Sequence, residues 1–436
     1  MTSTEHQTGS RGALASLLQA NTDKLLTCVH CGLCLPVCPT YRQLGNENDS
    51  PRGRVYLMRG VVEGRLDIGA AFESHIDLCL GCRACEPVCP SGVPYGHLLE
   101  AARAEVSKTK STRGQSSERS IRFFLNQVFT RPALLAFGFM LARWYRDSGL
   151  ARLTFNSSLV RGRLRFAIAL LLASRSPLGK VKPRTKQGSR SRHSGRVALL
   201  RGCVMEGLFR RTNSATERVL ESNGYELLKT ESQTCCGALH AHAGQLDEAR
   251  QLARRNIDSF LASGADWVIV NAAGCGAAMK EYAALLADDP LFADRAREFS
   301  SKVKDVSEFL VERGIVEPTE ILEHKVAYDA PCHLIHAQRI AQAPSDLLRR
   351  IPGVTLIPLR AYETCCGGAG IYNLQHPELS DMILRDKIES IKESGAEIVA
   401  TANPGCIMQI GAGILVHGLN VKVIHPIDLL DAAYGE

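Results

Sequence analysis

The sequence predicts a multidomain chain of mixed class, α+β at its start and α/β after it. A small helical domain organised by cysteines should precede two copies of a parallel-sheet domain. Three observations carry this. At 436 residues the chain is longer than one core supports. Two identical cysteine runs stand near its start. The C-terminal half repeats itself with a period of about 130 residues.

Composition narrows the class. Apolar residues make up 45% and charged residues 22%, which is ordinary for a soluble globular chain and excludes disordered, collagenous and polytopic membrane proteins. Cysteine is the outlier, at 16 residues. The first residues, MTSTEHQTGSRG, are polar, so a reducing cytoplasmic setting is expected. Clustered cysteines there serve metal or redox work and not disulfides.

The runs read CVHCGLCLPVCP at 28–39 and CLGCRACEPVCP at 79–90, both C-x2-C-x2-C-x3-C-P. This is the bacterial two-cluster ferredoxin spacing: three thiolates reach one 4Fe–4S cube and the fourth crosses to the other. It assigns Cys28, Cys31, Cys34 and Cys89 to one cluster, and Cys79, Cys82, Cys85 and Cys38 to the second. The first domain is therefore read as a helical, two-cluster ferredoxin-like unit over 21–110, after a tail at 1–20. Zinc is the competing reading of C-x2-C pairs, and the triple-plus-one pattern disfavours it. Between the runs, Pro51-Arg52-Gly53-Arg54 reads as a loop whose arginines offset cluster charge, meet a partner or sit in solvent.

Residues 111–196 form a basic helical segment and linker. Residues 121–196 hold 16 Lys/Arg against one acid, Asp147, whereas the remainder holds 36 bases against 44 acids. Apolar stretches at 132–142 and 166–174 are too short to span a bilayer. Arg143, Arg146, Arg161, Arg163 and Arg165 flank them, with Phe124, Phe137, Phe139 and Trp144 interspersed. Such a segment either lies on an anionic membrane surface or packs on the main body with a solvated basic face. Lys180–Arg196 reads as a flexible linker. No nucleic-acid fold motif accompanies the charge, so no nucleic-acid partner is expected.

The repeats span 197–320 and 321–436. Cys203, the pair Cys235-Cys236 and Cys275 recur as Cys332, the pair Cys365-Cys366 and Cys406, with spacings of 32 and 40 residues, then 33 and 41. Short β-rich runs (197–200, 267–270, 325–328, 398–401) each lead into a cysteine-bearing turn. Alternation with helical stretches such as Asn213–Ser222 and Leu246–Leu261 implies a parallel sheet, with ligands gathered beyond the strands' carboxyl ends. Each quartet offers thiolates to a further metal centre, iron–sulfur or zinc, or to a redox thiol pair. His240, His242, His333 and His336 lie close by in sequence, as proton relays or as plain core and surface histidines.

Together, CVHCGLCLPVCPTY, the PRGR segment, CLGCRACEPVCPSGV, TESQTCCGALH and TANPGC resemble the iron–sulfur subunit of bacterial glycolate oxidase over nearly the whole chain. The same architecture is shared by the anchor subunit of anaerobic glycerol-3-phosphate dehydrogenase and by subunits of heterodisulfide reductase. The resemblance implies an oxidoreductase complex whose FAD-binding partner subunits oxidise glycolate to glyoxylate. This chain would carry no substrate site and would pass electrons toward membrane quinone, as a peripheral protein on the inner face of the cell membrane. The absence of a G-x-G-x-x-G fingerprint agrees. Alternatives are a CCG-type thiol–disulfide reductase subunit, a zinc-stapled scaffold docking a flavoprotein to the membrane, and an anchor for a D-lactate or glycerol-3-phosphate dehydrogenase. Heterodisulfide-reductase catalytic subunits carry a further cysteine three residues after the last of each repeat; here Ala278 and Gln409 stand there, which weighs against the first alternative.

Overall fold

The computed structural model describes residues 16–113, 123, 125–177 and 195–435. Phe124, residues 1–15 of the expected tail and almost all of the Lys180–Arg196 linker lie outside these. The chain divides into two compact units, Met1–Phe123 with His240–Leu246, and Phe124–Leu239 with Asp247–Glu436.

The first unit is helical. Its longer helices, Pro51–Val62, Ala70–Asp77 and Tyr95–Arg113, enclose a core of Leu25, Met58, Ile76, Leu98, Leu99 and Ala102. Pro51-Arg52-Gly53-Arg54 is not a loop but the first turn of a helix. Ser50 caps it, accepting from Gly53 N at 3.0 Å, and Pro51 occupies the position where a missing N–H costs nothing. Gly53 is required by close approach, because a Cβ there would lie 1.9 Å from Glu47 O. Residues His240–Leu246, inside the first repeat by sequence, group with this unit. Arg103 donates to His242 O at 3.1 Å, and a Cβ on Gly244 would fall 2.4 Å from Arg103 O.

The second unit holds two parallel four-stranded sheets. In the first, β1 (Arg196–Leu199), β2 (Glu226–Leu228), β3 (Trp267–Val270) and β4 (Val303–Asp305) lie in the order β2-β1-β3-β4. In the second, β5 (His324–Tyr328), β6 (Val354–Ile357), β7 (Ile398–Ala400) and β8 (Lys422–Ile424) lie in the order β6-β5-β7-β8. Registers match: Val197 faces Trp267, and Val326 faces Ile398. The duplication read from the cysteines is thus a duplication of topology. Four of the strands, β2, β4, β6 and β8, have no counterpart among the runs read from sequence. The repeats share one core, in which Val197, Leu220, Ile269 and Phe309 join Val326, Leu348, Ile398 and Leu430.

The basic segment packs on these sheets' helices. A Cβ on Gly207 would lie 2.2 Å from Phe139 of helix Pro132–Asp147. A Cβ on Gly411 would lie 2.7 Å from Ala173 Cβ at the end of helix Gly162–Ala173. The outer face of Pro132–Asp147 stays exposed, with Trp144 63% accessible. Among the described residues no helix is long and apolar enough to cross a membrane.

Candidate metal centres

In each sheet the strand order reverses direction between the first and third strands. Ligands collect at the carboxyl side of such a switch point, and that is where the repeat cysteines fall. Cys203 opens the helix after β1, Cys235 and Cys236 follow β2, and Cys275 sits on the helix after β3. In the second repeat Cys332, Cys365-Cys366 and Cys406 follow β5, β6 and β7.

The thiols of each quartet form a chain. Cys235 and Cys203 share a hydrogen bond at 3.4 Å, and Cys236 shares hydrogen bonds with Cys235 and Cys275. In the second repeat Cys332 meets Cys365, Cys365 meets Cys366, and Cys366 meets Cys406. The glycine after each pair is set by packing against a neighbouring helix. Gly237 and Gly367 take φ of +83° and +84°, and their missing Cβ atoms make room for the packed helices at Ala249 and Ser380, not for a centre.

The two quartets differ electrostatically at two thiols of the second, whose Cys365 and Cys406 are raised by hydrogen bonds to neighbouring thiols and by burial as in the first. Hydrogen bonding to Cys235 and burial push the Cys203 thiol well up, and Cys236 is raised in the same way. Cys332 is pulled well down by the Cys365 thiol and the adjacent His333, whose Nδ1 lies 3.5 Å from its sulfur. Cys366 is pulled well down by the Cys365 and Cys406 thiols and by Lys387. Beneath the second quartet, Lys387 and Asp329 form an ion pair inside the core. Sequence reading missed both residues, because nothing local marks them.

In the first unit, Cys79, Cys85 and Cys38 are buried and Cys31 is exposed. Cys28, Cys34 and Cys89 are half-buried and pack against the core that holds Cys79 and Cys85. Burial pushes the Cys85 thiol well up, and charge on Cys82, Cys79 and Cys38 adds to this, so these four lie within electrostatic reach of one another. Burial raises Cys34, with Cys28 and Cys38 contributing. Burial also opposes ionisation of Cys79, but Arg54 and Arg103 outweigh it and hold the thiol below its ordinary range. Tyr95 Oη and Gly81 N reach its sulfur at 3.5 and 3.4 Å.

Arg54 is fully buried and Arg52 is not. Arg54 donates to His75 O and to Thr40 Oγ1 and lies 3.6 Å from Asp49. Arg52 pairs with Glu47 at 2.6 Å and donates to His30 O. Of the histidines, His242 meets Glu100, His336 meets Glu363 O, and His240 is fully buried with both ring nitrogens lacking a partner among the described residues.

An all-thiol donor set beside a fixed cation and N–H donors to sulfur suits an anionic iron–sulfur cluster, whose properties follow from charge and hydrogen bonds to sulfur. Among the described residues no group of three or more Cys, His, Asp or Glu is arranged to hold a single metal ion.

Fold and cysteines together define an iron–sulfur protein with a dicluster unit and two cysteine-rich domains. The model of the 4Fe-4S dicluster domain family matches residues 24–93, and that of the cysteine-rich domain family matches 197–280 and 326–411. The probable glycolate oxidase iron-sulfur subunit of Bacillus subtilis (strain 168) is 40% identical over 422 residues, 94% of each chain. The glycolate oxidase iron-sulfur subunit of Escherichia coli (strain K12) is 37% identical over 88% of each. Lactate utilization protein A of Exiguobacterium sp. (strain ATCC BAA-1283 / AT1b) is 31% identical over 54% of this chain and 96% of its own. The chain belongs to the glycolate oxidase iron–sulfur subunit family.

Proposed function

We propose that this chain is the electron-transfer subunit of a complex that oxidises glycolate to glyoxylate. A FAD-binding partner takes two electrons and two protons from the substrate. This chain accepts the electrons singly and passes them toward a membrane quinone, from a peripheral position on the inner face of the membrane. Bound iron–sulfur clusters supply the one-electron chemistry. Cys28, Cys31, Cys34 and Cys89 would hold one 4Fe–4S cluster, and Cys79, Cys82, Cys85 and Cys38 the other. The quartets Cys203/Cys235/Cys236/Cys275 and Cys332/Cys365/Cys366/Cys406 would hold further centres.

The protein's own task is positioning and charge. Arg54 and Arg103 offset negative charge at Cys79, while Tyr95 and Gly81 donate to its sulfur. The working units are 21–110 for the clusters, 111–196 for the basic segment, and 197–320 and 321–436 for the two repeats. The observation that carries the reading is full-length similarity to glycolate oxidase iron-sulfur subunits, with the whole cysteine octet present.

The test is Cys85→Ser in the assembled complex. Glycolate should still reduce the partner's flavin, while quinone reduction is lost. Unchanged quinone reduction would sink the proposal. The lactate utilization relatives support a second substrate reading, and D-lactate in place of glycolate in the same assay separates the two.

A further inference from the structure

The second unit holds a cavity of about 620 Å³ that the cysteine chemistry does not use. It opens where helices Pro132–Asp147 and Gly162–Ala173 end and helix Arg210–Ser222 begins. Six guanidiniums line it, from Arg143, Arg146, Arg175, Arg210, Arg211 and Arg218. Three carboxylates oppose them, Asp147, Asp428 and Asp431.

Four of the six cations are committed. Buried Arg146 forks onto Asp147 at 2.9 and 3.1 Å and donates to Ser174 Oγ and Leu208 O. Arg218 clamps Asp431 at 2.6 Å, Arg210 pairs with Glu206 at 2.7 Å, and Arg143 donates to Gly207 O. Arg143, Arg146 and Arg218 fix the floor, while Arg210 is held in an exposed pair at the rim. The guanidiniums of Arg175 and Arg211 make no hydrogen bond or ion pair among the described residues and act on Asp147 only as charges. Both are exposed. Helix Arg210–Ser222, 13 residues long, starts here with no acid in its first turn and no side-chain cap. Its positive end therefore adds to the excess.

A rigid floor with two uncommitted guanidiniums at its mouth suits a group with several anionic oxygens. Arginine's planar fork matches phosphate geometry, and a single carboxylate would engage only one fork. We propose that this pocket binds a phosphate-bearing anion, gripped by Arg175 and Arg211. The proposal stands apart from the electron-transfer reading. Two sources offer that chemistry, an anionic phospholipid headgroup and a soluble phosphorylated metabolite. Leu134, Phe137, Leu141 and Trp144, each at least 47% exposed, share one face of helix Pro132–Asp147, but the pocket residues Arg143, Arg146 and Asp147 lie on the opposite face, so this stripe does not favour either source.

The test uses the full-length, cluster-loaded chain and its Arg175→Gln/Arg211→Gln variant, with circular dichroism and iron content confirming that the variant is intact. Sedimentation is measured with phosphatidylcholine vesicles, with and without phosphatidylglycerol, and equilibrium dialysis with inorganic pyrophosphate. We expect binding to weaken about tenfold for each guanidinium removed. Vesicle binding that needs phosphatidylglycerol and is lost in the variant assigns the headgroup. Pyrophosphate binding lost in the variant, without vesicle binding, assigns a soluble anion. The pocket is overturned if neither probe binds, or if the variant binds both as tightly as the parent chain.

Discussion

Lys387 Nζ lies 2.7 Å from Asp329 Oδ1, and neither side chain is more than 2% exposed. Lys387 also donates to Ala361 O at 2.9 Å, and Thr401 Oγ1 donates to Asp329 at 3.1 Å. The matching positions of the first repeat are Leu200 and Asn256, and Asn256 instead donates to Cys235 O and Tyr282 Oη. One duplicated frame thus supports its two thiol quartets by different means. Removing one partner of a buried pair leaves an uncompensated charge. Lys387→Met should therefore cost about 3–5 kcal/mol of stability. Asp329→Leu/Lys387→Met, which restores the apolar character of Leu200, should recover most of the loss. Denaturant unfolding of the three chains decides it, and a double variant as unstable as the single one would refute the argument.

The octet and the repeats were legible because their spacing is the chemistry: a thiolate's place in C-x2-C-x2-C-x3-C-P carries its partner. Short runs such as Trp267–Val270 announced the inner strands, which are flanked on both sides and must be apolar. The outer strands stayed hidden, because Glu226–Leu228 and Lys422–Ile424 are three residues long and carry an exposed charge. Arg54 was misplaced because Pro51 and Gly53 read as a turn, whereas Pro belongs equally to the first turn of a helix. Arg103, Tyr95 and Lys387 had no local signal, since only the fold brings them to Cys79 or Asp329.

Arg54 supplies a fixed positive charge beside Cys79. A cation favours the reduced, more negative state of a neighbouring centre. Arg54→Gln should therefore lower the midpoint potential of the centre proposed at Cys79, by roughly 60 mV, a tenfold shift for one electron. Redox titration followed by electron paramagnetic resonance measures it. Arg52→Gln, removing the more exposed neighbour already paired with Glu47, should move the potential far less. Equal shifts for the two variants would remove Arg54 from this role.

Asp428 is pushed up to about 7 by burial, with Asp431 adding to this and Thr212 and Arg218 opposing it. A folded value above the unfolded one means that the native state binds the proton more tightly. Its contribution is therefore greatest below pH 4 and falls away up to about pH 7. His425, lowered to about 4 by burial, runs the other way, losing stability as pH falls below its unfolded value. Asp428→Asn should cancel only the first effect. The variant should gain on the parent as pH rises from about 4 to 7, by up to about 1.4 kcal/mol per pH unit. Thermal unfolding across that window checks this, and a constant difference would contradict it.

Gly237 and Gly367 occupy matching places and the same left-handed backbone, yet their surroundings differ. A Cβ on Gly237 would meet Ala249 Cα and O at 3.3 Å, a distance that a small shift relieves. A Cβ on Gly367 would lie 2.7 Å from Ser380 O, a backbone atom inside helix Pro377–Ser394 that cannot swing aside. The left-handed conformation alone costs a non-glycine residue about 1–2 kcal/mol, and this applies to both. Gly367→Ala adds the clash, which must displace either the helix or the Cys365-Cys366 backbone. It should melt well below Gly237→Ala, and metal retention after dialysis should fall further in Gly367→Ala. Equal melting temperatures would mean that backbone strain sets the cost at both sites and that the contact with Ser380 does not.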